Sequence, residues 1–257
     1  MDYGFKYEEP KQEDYIFGDA NLKATVLQQD GQWDAYLPQD EFQHPYNFET
    51  YACASFATLN AIEILLRRLY NFKDNFSDRY LAKVSGTEVT RGNSPHKVAE
   101  TIRKQGIIDE YEWPFLREID TFEKFYATPP STFIVSAERF LYHYDFYHDY
   151  VPNDPMSMME ALRYSPLGMS VFGWNMGPDG LYQAGNGADN HFVCVYGYEE
   201  EKYWKVFDTY DSTHKMVEWK HKPLTVKRYH IDLAPATRTW LEKITKLLKD
   251  LLTSMKK

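Results

Sequence analysis

Cysteine is nearly absent: 257 residues hold only Cys53 and Cys194. Two cysteines cannot make a disulfide framework, and they suit a reducing compartment, so a cytoplasmic setting is expected, with a virus or phage particle as the alternative. Positive charge is also short, with 29 Lys and Arg against 38 Asp and Glu and a net charge of −9. That argues against nucleic acid as the main partner. No run of about 18 apolar residues exists, so no transmembrane segment is expected. The opening MDYGFKYEEPKQED lacks a basic stretch followed by an apolar one, so it does not read as a signal peptide. HExxH, CxxC, GxSxG and P-loop patterns are all missing, and neither a metal nor a cofactor is expected.

What is present is the material for a core. Hydrophobic residues make up 43% of the chain and aromatics 17%, including 21 Tyr, which describes a folded protein of one large domain or two packed lobes. Charge is uneven. Residues 1–50 carry 11 acids and 3 lysines, whereas residues 236–257 carry 6 basic and 2 acidic residues. Three regions follow: an acidic N-terminal arm over 1–46, a main domain over 47–232, and an amphipathic helix over 233–257. In the last, Trp240, Ile244, Leu247, Leu248, Leu251, Leu252 and Met255 recur at spacings of 3 and 4. Such a helix suits docking on its own chain, on a partner chain or on a membrane surface.

The main domain changes character along its length. Residues 53–70 form the clearest helix. Apolar side chains cover most of its circumference and leave only Asn60, Glu63 and Arg67 as a polar stripe, the signature of a helix buried on several sides. Residues 77–86, capped by Ser77, read as a second helix. A third spans 94–106, with Ser94 as cap, Pro95 at its first position and Gly106 as its stop. A short helix is expected at 156–164. Strands are expected at 167–174, 190–198, 202–210 and 226–233, and one short strand at 23–28 of the arm. The segment FLYHYDFYHDY is left between loop and strand. Helices before strands define an α+β class with segregated halves.

The chemistry gathers around one hairpin. NHFVCVYGYEEEKYWKVFDTY turns near Glu200–Glu201, and a symmetric turn sets His191 opposite Tyr210 with Asp208 diagonal to it. Diagonal neighbours lie roughly 7–8 Å apart, within reach of long side chains. An imidazole with a carboxylate to orient it lacks only a nucleophile. Cys53 supplies one at the start of the buried helix, where the dipole and a nearby imidazolium favour a thiolate. Cys194, in mid-strand between Val193 and Val195, reads as structural.

Several stretches then resemble papain-like cysteine peptidases over about residues 37–232. Cys-Ala-Ser-Phe-Ala at 53–57 is similar to the family's nucleophile motif, and Phe76 to Leu81 to its following helix. Gly92, Asn93 and Ser94 stand where the family has a glycine-rich substrate-binding strand. Residues 102–107 and Glu112-Trp113-Pro114-Phe115 resemble the run that ends in Tyr-Pro-Tyr. Asn190-His191 onward resembles the histidine strand, and 203–210 resembles the strand ending in Asn-Ser-Trp, with Asp208 for the Asn and Tyr210 for the Trp. Asn47 stands six residues before Cys53, where the family has its oxyanion Gln, and Ala54 replaces the Trp that follows the nucleophile.

The resemblance implies a two-lobe fold. A helical left lobe, about 47–130, carries the central helix. An antiparallel β-barrel-like right lobe covers about 131–232, and a catalytic cleft lies between them. It implies a thiol peptidase acting on peptide or protein substrates through Cys53, His191 and Asp208. Asn47 would assist the oxyanion, and Gly92, Asn93, Ser94, Asn190 and Tyr210 would line the substrate. The same site chemistry suits a cell-wall amidase, an endopeptidase or an isopeptidase. Without activity, the fold suits a structural or binding module of a phage particle.

Overall fold

The computed structural model describes residues 3–18, 25–38, 41–44, 48–73, 75–173, 175–183, 187–235, 237–242 and 244–245. Helix α1, Cys53–Tyr70, is the axis of the molecule. Every residue from Cys53 to Leu66 is buried, as its all-round apolar pattern requires. Its C-terminus is closed by Asn71 in the left-handed conformation, with φ of 53°. Around it pack α2, Asp78–Val84, and α3, Pro95–Gln105. The Ser77 hydroxyl accepts from Tyr80 N, Ser94 accepts from Lys97 N, and Gly106 ends α3 at a φ of 79°.

Two further helices extend the helical side, α4 at Phe122–Phe125 and α5 at Phe133–His143. The sequence reading passed over both. The aromatic segment left undecided divides at His143: its first part ends α5, and its second is strand β1, Tyr144–Tyr150. Helix α6, Pro155–Leu162, is capped by Asp154. Strands β2 (Leu167–Val171), β3 (His191–Glu199), β4 (Tyr203–Asp208), β5 (Thr213–Glu218) and β6 (Val226–Leu233) follow. They make one antiparallel sheet in the order β1-β6-β2-β3-β4-β5, whose edges are β1 and β5.

The β3–β4 hairpin has the expected register on the side that matters. Cys194 pairs with Phe207 and Val195 with Val206, and this register, extended, sets His191 opposite Tyr210. The ladder slips between Val195 and Gly197, nearer the turn, so the irregularity leaves the far end undisturbed. Helix α1 packs on β3, and Thr58 on α1 is hydrogen-bonded at 3.0 Å to Tyr229 on β6. These contacts set the start of α1 against the start of β3.

The arm is not a separate tail. Trp33 is fully buried, and its indole N–H donates to Leu162 O at 2.8 Å. The strand expected at 23–28 is not formed over its described residues, 25–28, where Leu27 N and Gln28 N instead donate to Arg163 O as a loop. Of the C-terminal helix, helical backbone is described only between 235 and 245, where Trp240, Leu241 and Ile244 are exposed. The rest of that helix lies outside the described residues.

Four acidic side chains meet inside the helical lobe: Glu41, Glu63, Asp78 and Glu110. Glu63 Oε1 accepts Phe76 N at 2.9 Å and Glu110 Oε1 accepts Phe115 N at 2.7 Å, so the cluster pins the loop before α2 to α1 and closes the turn over 110–115. Burial, reinforced by their neighbours, pushes Glu41 up to about 8, whereas burial alone raises Glu110 to about 7. A carboxyl whose affinity for protons is raised on folding stabilises fully below its unfolded value of about 4.3. That contribution is lost as the pH rises toward the folded value. Stability against thermal unfolding is therefore expected to fall between pH 5 and pH 8 by on the order of 3 kcal/mol, and Glu41→Gln to flatten that slope. Calorimetry across this range checks it; a stability that rises toward pH 8 would contradict it.

Candidate active site

The first turn of α1 begins without a side-chain cap. Ala52 cannot supply one, and Tyr51 before it takes a φ of 55°, a left-handed conformation that a bulky residue adopts only when held there. The loop is held by Glu49, whose Oε1 accepts Tyr51 N at 3.0 Å, and by Tyr126, whose hydroxyl donates to Thr50 O at 2.6 Å. The turn thus places Cys53, fully buried, at the positive end of an 18-residue helix. Cys53 shares a small apolar cluster with Phe5, Ala57 and Phe192.

His191, the residue before Phe192, opens β3 and pairs with Val171 of β2. Its Nε2 lies 2.7 Å from Asp208 Oδ1, at the end of β4. A carboxylate only accepts, so Nε2 carries the proton and donates it. Both side chains are fully buried. Burial pushes the Asp208 carboxyl up, but the His191 ring and the Lys215 ammonium beside it outweigh burial and bring it down to about 2. Lys215 Nζ donates to Asp208 Oδ2 and, at 2.9 Å, to Asp211 Oδ1. Tyr210 N donates to Asp208 Oδ1 at 3.1 Å, so three donors fix this carboxylate. Cys194 behaves differently: burial pushes its thiol far up, and it lies inside the sheet.

The residues expected to line the substrate are occupied by the chain itself. Residues Tyr3 to Lys6 cross the site with a bend at Gly4, whose φ is 102°. Tyr3 N and Phe5 N donate to Asn190 O at 3.2 and 3.4 Å. Lys6 N donates to Asn93 O at 3.0 Å and Asn93 N donates to Gly4 O at 2.9 Å, a parallel bridge between Phe5 and Asn93. The approach is so close that a Cβ on Gly92 would lie 1.6 Å from Gly4 O. The Tyr3 ring sits 5.4 Å from the His191 ring and edge-on to Tyr210 at 4.7 Å. Gly92, Asn93, Asn190 and Tyr210 therefore gather around one peptide segment. Ser94 does not join them, because its hydroxyl caps α3.

Asn47 lies outside the described residues. Gln43, which the sequence reading missed, is fully buried, and its Nε2 donates to Tyr3 O at 3.3 Å and to Glu49 Oε1 at 3.2 Å. Its backbone N donates to Thr209 O at 2.7 Å, which ties it to the residue after Asp208. Gln43 stands ten residues before Cys53, beyond the spacing of six on which the search relied; it is the nearest Gln on that side. Among the described residues, no group of three or more His, Cys, Asp and Glu side chains is arranged to hold a metal. Nor is any described helix long and apolar enough to cross a membrane.

No family model matches the sequence, and no curated protein is similar to it. Solved structures are similar to it in fold. The proform of the ragweed pollen cysteine protease Amb a 11 superposes with a TM-score of 0.55 at 15% identity, covering 82% of this chain and 68% of that one. Bromelain from Ananas comosus in complex with the E64 inhibitor gives 0.53 at 17% identity, over 77% and 96%. Digestive procathepsin L 3 of Tenebrio molitor larval midgut gives 0.56 at 17% identity, over 84% and 72%. The chain has the papain-like two-lobe fold.

Phe5 is 6% exposed and covers Cys53. Replacing it by Asp puts a charge where burial forbids one and is expected to lift the segment. Iodoacetamide labelling of Cys53 should then accelerate at least tenfold while Cys194 stays unlabelled, as peptide mass spectrometry can read. An unchanged Cys53 rate would mean that the segment does not control access.

Proposed function

We propose that this chain is a cysteine-type peptidase whose catalytic groups are Cys53, His191 and Asp208. One observation carries the reading. A peptide segment, the chain's own Tyr3–Lys6, lies in the groove over these groups, held by backbone hydrogen bonds to Asn93 and Asn190, with the Tyr3 carbonyl on the Gln43 amide. A groove that holds a peptide segment by its backbone suits a peptide substrate.

In this reading the Cys53 thiol gives its proton to Nδ1 of His191, because Nε2 is held by Asp208. The thiolate adds to the substrate carbonyl. Gln43 Nε2 and the amides at the start of α1 receive the charge that develops on the carbonyl oxygen. The C–N bond breaks as His191 protonates the leaving amine, and a thioester remains on Cys53. His191 then takes a proton from water, the hydroxide adds, and the S–C bond breaks to release acid and thiol. Asp208 keeps the ring oriented throughout.

The complete burial of Cys53, His191 and Asp208 favours a second reading, a module whose groove stays filled and which serves as a structural or binding part. The rate of Cys53 alkylation from pH 4 to 9 in the Phe5→Asp protein separates the two. A thiolate paired with imidazolium labels well below pH 7, and His191→Ala lowers the rate there by at least a hundredfold. Labelling that rises only near pH 8.5 in both proteins supports the silent module and overturns the peptidase.

A further inference from the structure

Strand β5 alternates outward and inward, and Lys215 falls on an inward position beside Val217. Its side chain is 4% exposed. A lysine at a core position is costly unless its ammonium is matched, and an apolar residue there would cost less. The match here is the outer oxygen of Asp208, with Asp211 at 2.9 Å as a second partner and the Tyr182 ring 5.5 Å away. Each Asp208 oxygen thus has its own cationic or imidazole partner: Oδ2 takes Lys215 and Oδ1 takes His191.

We propose that Lys215 is a positioning residue that holds Asp208 by Oδ2, aims Oδ1 at His191 and sets the pH range over which the His191 ring carries its second proton. This rests on reading Cys53, His191 and Asp208 as one catalytic array. An ionised orienting carboxylate, buried without water, would by itself tighten the hold of His191 on that proton. The Lys215 ammonium offsets that charge from the far side. Other groups facing the array are Cys53 on α1, Glu49 and Tyr3 beside it, and Tyr210 with His44 stacked on it. Oδ2 itself receives Lys215.

The test is the pH titration of the His191 ring by NMR on the full chain with labelled histidine, the signal being assigned by its loss in His191→Gln. Lys215→Met should raise the midpoint by about two pH units, given charges on the order of 6 Å apart at an effective dielectric constant of about 20. Lys215→Arg should stay within about 0.3 unit of the parent. Asp208→Asn with Lys215→Met should fall back to the parent midpoint or below it. A purely structural lysine would lower the melting temperature and leave the midpoint alone, so an unmoved or lowered midpoint in Lys215→Met overturns the proposal. If Lys215→Met does not fold, Asp208→Asn is compared with and without Lys215→Met, and equal midpoints overturn it equally. Failure of acid-range alkylation at Cys53 would remove the peptidase reading and leave these midpoints standing. Equal midpoints would remove the role of Lys215 alone.

Discussion

Asp208 carries a full negative charge into a place that water does not reach, and the surroundings of the site follow from balancing it. A lone buried carboxylate would protonate rather than stay charged. Here it is met on one side by the imidazole of His191 and on the other by the ammonium of Lys215, with the Tyr210 amide as a third donor. The three partners come from β3, β5 and the turn just after β4. The array is therefore assembled only when the three strands pair in register, and a slip of one residue would turn His191 away from it. The bulge lies toward the hairpin turn, where it does not disturb this end of the ladder.

The same logic explains the arm. An open site would expose Cys53 beside a charged pair. In this structure Phe5 closes over the thiol and Tyr3 over the imidazole, with their backbone amides on Asn190 O while Gly4 and Lys6 bond to Asn93. Gly4 and Gly92 permit an approach that no side chain would allow: a Cβ on Gly4 would sit 2.3 Å from Tyr51 O. The groove is thus shaped to backbone, which is how a peptide can fill it while its side chains point to separate surroundings.

Much of this was legible in the residues. Helix α1 announces itself because its apolar residues surround it and its polar stripe is only Asn60, Glu63 and Arg67 wide. The hairpin register followed from assuming a symmetric turn, and that register brings His191 to Asp208. Other features were not legible, for physical reasons. Gln43 escaped a search by fixed spacing because its distance from Cys53 along the chain exceeds the family's interval. Lys215 lies in THKMVE, where nothing marks one lysine as buried; only its strand phase and its carboxylate partner do. The segment from Tyr3 to Lys6 has no period at all, since a peptide bound by its backbone leaves no side-chain pattern. The aromatic run at 140–150 misled because a helix end and a strand start share it.

The proposed chemistry stands or falls with Cys53 as a nucleophile facing a peptide groove. The most direct measurement exposes the Phe5→Asp protein to a mixed-sequence peptide library, quenches it in acid and weighs Cys53. The account predicts cleaved peptides together with an acyl mass on Cys53, both absent when Cys53→Ala is added. Intact peptides and an unmodified Cys53, in a protein whose Cys53 iodoacetamide reaches freely, would contradict it.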